Sequence, residues 1–97
     1  MSVTLETRVV AGAGQVSTQL GDETVILGGS KGLYFGLNPV GARVWELLEK
    51  PTDVRSIVTV IASEYEAPEP TIRADVLKLI NEFVEHGLVV TGADVPE

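Results

Sequence analysis

Acid–base chemistry would have to start from His86, the single histidine of the chain. A general base needs a nucleophile beside it and an acid to orient its ring, and the sequence supplies neither. Glu82 and Glu85 are its helical neighbours and are expected to be solvated. An imidazole at a helix end is better used against the carbonyl end of the dipole. One histidine and no cysteine leave no ligand set for a transition metal. The carboxylates do not follow the spacing of a calcium-binding loop. The glycines of "AGAGQVS" (residues 11–17) lack the Lys-Ser/Thr ending of a phosphate-binding loop. The residue types therefore exclude the familiar catalytic, metal and phosphate constellations and point to binding between surfaces.

Two stretches have the right make-up for that. The first is "SKGLYFGLNP" (residues 30–39), in which Leu33 to Leu37 reads as a strand running into a helix start. It follows two short runs, "VSTQL" and "ETVIL", separated by Gly21-Asp22, a pair suited to a tight hairpin turn. The three together predict an antiparallel meander. As its last member, the Leu33–Leu37 strand is expected to keep one edge unpaired. Such an edge invites a strand from another chain, and proteins usually blunt it. Lys31 alone stands nearby as a gatekeeper, while Gly36 allows close backbone approach. The expectation is that a peptide adds itself as a fourth strand along Gly32, Leu33, Tyr34, Phe35 and Gly36.

The second stretch is a helix expected from about Thr71 to His86, stopped by Gly87. At 100° per residue, Ile72, Val76, Leu79 and Phe83 share one direction, and Leu77, Ile80 and Val84 widen the arc to roughly 160°. Asp75, Glu82 and His86 lie on the other flank. An ordinary surface helix needs a stripe of only about 100°. The surplus fits either a central helix or one whose apolar flank, with its acidic rim, lines an open groove.

Two further helices must position these stretches. Asn38 is a good N-cap and Pro39 suits the first helical position; Val40, Val44, Trp45, Leu47 and Leu48 follow before Lys50-Pro51 ends the helix. A second begins near Thr52 or Asp53 and carries a one-sided stripe of Val54, Ile57, Val58, Ile61, Ala62 and Tyr65. "EAPEP" (residues 66–70) is expected to be a rigid connector. Residues 88–90 suit a short closing strand and residues 91–97 a frayed tail. Residues 3–10 have extended character, ended by "AGAG", and the sequence assigns them no role. The second and third helices with the strand after them resemble a winged helix-turn-helix. The fold class expected is α+β: a three-stranded antiparallel sheet packed on three helices.

Size and charge narrow the partners. Ninety-seven residues suit one domain over residues 1–97, with a core of about 16–90. A 44% apolar content is too high for disorder. Fourteen acidic against seven basic residues give a net charge of −7. Phosphate backbones require clustered Lys and Arg, so nucleic acid is not an expected partner and a basic peptide is a better one. No apolar run reaches the ~18 residues of a membrane span. The N-terminus lacks the pattern of a signal peptide. Without cysteine the chain suits a reducing cytoplasm.

The run "GLYFGLNPVGARVWELL" (residues 32–48) resembles the PqqD-like family of RiPP recognition elements, peptide-binding domains of ribosomal-peptide modification pathways. It is most similar to the stand-alone leader-binding proteins of lasso-peptide clusters. Their usual pattern is Gly, any residue, an aromatic pair, any residue, then Leu-Asn-Pro-Thr-Gly-Ala. Here it reads Gly32, Leu33, Tyr34-Phe35, Gly36, Leu37, Asn38, Pro39, Val40, Gly41, Ala42. It departs at Val40, where Thr is common, and at Phe35, where Trp is common. Asp75-Val76, Leu79 and Gly87-Leu88-Val89 match the family's later "DV…L…GLV" pattern.

The resemblance covers roughly residues 16–90. It implies a precursor leader peptide held between the third strand and the third helix. The backbone of Gly32 to Gly36 would bond the leader, Val76 and Leu79 would floor pockets for apolar anchors, and Asp75 and Glu82 would meet polar or basic groups. Helix one, with Asn38 and Pro39, would be structural. The implied partners are a leader protease and a macrolactam cyclase; no catalysis and no cofactor are implied. The alternatives are a PqqD-type chaperone for the pyrroloquinoline quinone precursor, a winged-helix DNA regulator and a small enzyme. The regulator's recognition helix would carry Arg73 and Lys78 outnumbered by Asp75, Glu82 and Glu85.

Overall fold

The chain alternates strands and helices in the order its turn and cap residues dictate. The computed structural model describes residues 3–12, 16–20, 23–28, 33–92 and 95. Its strands are β1 (Arg8–Ala11), β2 (Val16–Leu20), β3 (Glu23–Gly28), β4 (Leu33–Leu37), β5 (Thr52–Asp53) and β6 (Val89–Thr91). Its helices are α1 (Pro39–Leu47), α2 (Val54–Glu64) and α3 (Glu69–Glu85). The α+β class, the meander and the three helices expected from the sequence are all present. Gly21-Asp22, Lys31 and Gly32 lie outside the described residues.

Strands β2, β3 and β4 form one antiparallel sheet in that order, with Leu20 opposite Glu23 and Ile26 opposite Phe35. Strands β5, β1 and β6 form a second, in which Val9 faces Thr52 on one side and Thr91 on the other. This second sheet adds to the expected architecture. The N-terminal segment, to which the sequence assigns no role, is its central strand. Val3 N–H donates to Asn81 Oδ1 on α3 at 2.9 Å, and Asn81 Nδ2–H donates to the Leu77 carbonyl at 2.9 Å. Arg55 pairs with Glu6. Residues 3–12 are thereby strapped along α2, α3 and β6, and Val9 is fully buried.

The helix ends follow local chemistry. Asn38 caps α1, its Oδ1 accepting from Gly41 N–H at 2.8 Å, and Pro39 occupies the first turn, where a missing N–H costs nothing. Gly41 is closely packed: a Cβ there would stand 3.3 Å from Leu37 Cδ2 and 3.4 Å from Asn38 Oδ1, so these side chains would have to give by a few tenths of an ångström. Asp53 caps α2 by accepting from Ser56 N–H at 2.7 Å.

Helix α3 begins two residues earlier than the sequence suggests. Glu69 and Pro70 form its first turn, because proline's fixed φ and absent N–H suit that turn, so the connector is shorter than "EAPEP". Gly87, at φ 73°, terminates the helix as expected. At the same end His86 Nδ1–H donates to the Glu82 carbonyl at 2.8 Å. The expected frayed tail is held at two points: Thr91 belongs to β6 and Val95 is buried.

The core lies where the three helices meet β3, β4 and β6. Ile26 and Leu37 from the sheet pack with Val44, Trp45 and Leu48, with Val54, Ile57 and Ile61, and with Ile72, Val76, Ile80 and Phe83. Trp45 meets Phe83 edge to face, with ring centroids 5.4 Å apart and planes at 72°. This geometry suits the ring quadrupoles.

Candidate functional site

Every buried stripe leaves a flank, and three flanks converge beside β4. Strand β4 ends its sheet, so among the described residues its outer edge has no partner strand. The segment best placed by composition to fill it, residues 8–11, is committed to the other sheet. Next to that edge lies a cleft of about 430 Å³. Buried apolar side chains of Leu37, Val44, Ile61, Ile72 and Val76 form its floor. Gly36, Asn38, Val40 and Gly41 make the wall where β4 passes into α1. The opposite wall is α3, with half-buried Leu79 and the charged side chains of Asp75, Lys78 and Glu82. Half-buried Tyr65 and exposed Ala67 lie at the end formed by the α2–α3 connection.

Helices α1 and α2 are tied together at the surface. Arg43 on α1 makes a two-pronged bond to Glu64 at the end of α2, with Nε–H to Oε1 and Nη2–H to Oε2 both 2.9 Å. The Glu64 hydrogen bond raises the already high pKa of Arg43, and the same bond holds the Glu64 carboxyl below its ordinary value. The pair is solvent-facing, so its contribution is to geometry more than to stability. It links α1 to α2, whose Val44 and Ile61 both floor the cleft.

Of the residues singled out in the sequence, the cleft brings together Gly36, Asp75, Val76, Leu79 and Glu82. Leu33, Tyr34 and Phe35 form the body of β4, opposite Gly28, Leu27 and Ile26. Gly32 lies outside the described residues. Val76 is a floor residue, 2% exposed, whereas Leu79 is the wall residue still open to solvent. The family resemblance implies a purely structural helix one, but Asn38 both caps that helix and lines the cleft. Lys78, named in the sequence only as a basic residue of a DNA-recognition helix, lines the cleft between Asp75 and Glu82, as their helical spacing implies. Tyr65 and Ala67 carried no such signal, because the bend between α2 and α3 brings them there.

His86 is occupied with a backbone carbonyl at the far end of α3. Among the described residues, no group of three or more His, Asp or Glu stands close enough to hold a metal ion. No described helix is long and apolar enough to cross a membrane.

The comparisons with known proteins address the same region. Residues 23–89 match the family described as coenzyme PQQ synthesis protein D, PqqD. The chain belongs to the PqqD family. The matched span runs from β3 through α3 into β6 and so contains the whole cleft, leaving β1 and β2 outside. Among solved structures the chain is similar to TbiB1 in complex with the TbiA(beta) leader peptide, at 34% sequence identity and a TM-score of 0.74. That likeness covers 88% of this chain and 99% of the other. No curated protein matches the chain. Of the second sheet, β1 lies outside the matched span, whereas β5 and the start of β6 lie within it.

Proposed function

We propose that this PqqD-family chain binds the leader region of a ribosomally made precursor peptide as an added strand on β4. The observation that carries the reading is the β4 edge, unpaired among the described residues, beside an apolar-floored cleft walled by α3. A strand edge supplies backbone bonds to any extended peptide, and the cleft selects by side chain. The likeness to a protein solved with a leader peptide supports the choice of occupant. In this reading the backbone of residues 32–36 bonds the leader. Leu79, above Val76, receives an apolar anchor, and Asp75 and Glu82 face its polar or basic groups.

The chain then acts without catalysis, as one cytoplasmic domain. It presents the leader to a leader protease and to the cyclase that closes a macrolactam, as in lasso-peptide maturation. A second reading, a carrier of the pyrroloquinoline quinone precursor, is favoured by the family description itself. Both use the same cleft and differ in the peptide.

Fluorescence polarisation decides between them. The labelled probes are the leader of a precursor encoded beside the gene and a PqqA-type precursor. The first is expected to saturate with Kd in the micromolar range or tighter, and the second is not. No saturable binding of either below about 100 μM, equivalent to about −5.5 kcal/mol, overturns the proposal. A gel shift with duplex DNA at low salt is expected to show nothing, given a net charge of −7.

A further inference from the structure

The α3 wall of the cleft is not uniformly acidic. Asp75, Lys78 and Glu82 line it in that order, at positions i, i+3 and i+7 of one helical face. Lys78 is exposed and makes no ion pair among the described residues, although a carboxylate stands one turn away on either side. Its arrangement explains this in part: a Lys four residues before a Glu is the less favourable orientation for a helical pair. The ammonium is therefore available to a ligand.

We propose that Lys78 is a specificity-determining residue. It takes an acidic side chain of the bound peptide, with basic residues two positions to either side, read by Asp75 and Glu82. This deepens the proposed leader binding and rests on it. The spacing fits. At 1.5 Å per residue, the three α3 positions lie about 4.5 and 6 Å apart along the axis. Side chains on one face of an extended peptide recur about every 6.7 Å. The reach of Lys and Glu side chains covers the difference. The required pattern, basic–x–acidic–x–basic, reads the same in both directions. It therefore holds whether the added strand runs parallel or antiparallel to β4. It also separates ligands that net charge alone would not, since a uniformly basic peptide meets repulsion at Lys78.

The test is selection from a phage-displayed library of unconstrained peptides of about twelve residues, panned against the full chain and against its Lys78→Glu variant. Lys78 is exposed, so the variant folds, and circular dichroism checks this. The wild-type protein is expected to enrich Asp or Glu flanked at two residues by Lys or Arg. The variant is expected to enrich Lys or Arg at the central position. Wild-type-selected peptides should bind the variant about three- to tenfold more weakly at 0.15 M salt, a gap that narrows at about 1 M. Enrichment without a charge preference, or with one unaltered by Lys78→Glu, overturns the role of Lys78 and leaves strand addition standing. Failure of either protein to enrich any peptide, together with no binding of the neighbouring precursor's leader, overturns the proposed function and this inference with it.

Discussion

Leu79 and Ile80 are adjacent in α3 and about 100° apart around its axis, so they separate cleft from core by one residue. Ile80 is 0% exposed, whereas Leu79 is half-buried on the cleft wall. Leu79→Ala removes three carbons, worth about 0.8 kcal/mol each if fully buried, or roughly 2.4 kcal/mol. With about half of that surface already covered in the free protein, the peptide covers the remainder. The expected loss of affinity is about 1.2 kcal/mol, near eightfold in Kd, with a similar loss of stability. Leu79→Arg places a charge against the apolar anchor and should weaken binding more than tenfold while the domain stays folded. Ile80→Val removes one buried methylene and should cost about 0.5–1.5 kcal/mol of stability, from a total of the order of 5–15, with Kd unchanged within about twofold. Urea denaturation gives the stabilities and fluorescence polarisation the affinities. A folded Leu79→Arg protein with wild-type affinity would refute the placement of the peptide against α3. So would an Ile80→Val protein that loses affinity as Leu79→Ala does.

Three further outcomes test the supports of the cleft. Asn38→Ala removes the 2.8 Å bond to Gly41 N–H; it should lower stability by about 1 kcal/mol, or Tm by about 4–8 °C in a thermal melt. Asp53 is held below its ordinary pKa of 3.8, chiefly by the Ser56 N–H donated to its carboxylate. A lowered folded-state value stabilises above the unfolded pKa and is lost as pH falls through the folded one. The stability gap between wild type and Asp53→Ala should therefore be full at pH 7 and shrink below about pH 4 in urea titrations. Asn81→Ala releases the Val3 N–H, so hydrogen exchange should quicken at residues 3–7 while peptide affinity stays within about twofold. Slowed or unaltered exchange would show that the strap is held by β1 pairing alone.

Local signals were legible wherever one residue's chemistry dictates its neighbours' geometry. Asn38-Pro39, Asp53 and Gly87 mark helix ends because a cap is a contact over three or four residues. The stripe of α2 is buried as its period requires, at Val54, Ile57, Val58 and Ile61. The exception in kind is Glu69-Pro70: a rule about the residue before proline gave way to proline's fitness for a first turn.

Contacts between distant residues were not legible. Val10 pairs with Val90 and Val3 with Asn81, and neither pairing leaves a trace in local spacing. The cleft shows the same division. Gly36, Asp75, Val76, Leu79 and Glu82 were found from a strand and a helical face, while Tyr65 and Ala67 reached it through a bend.

The sequence by itself determined the α+β class, the meander and three helices, because residue type and short spacing set these. Only the tertiary structure decided that β1 joins β5 and β6, so that among the described residues no strand covers the outer β4 edge, and that Tyr65 and Ala67 reach the cleft. Strand pairing is chosen by the whole core at once: burying Val9 in the common core between β5 and β6 outweighs any local preference, and no run of neighbouring residues encodes that choice.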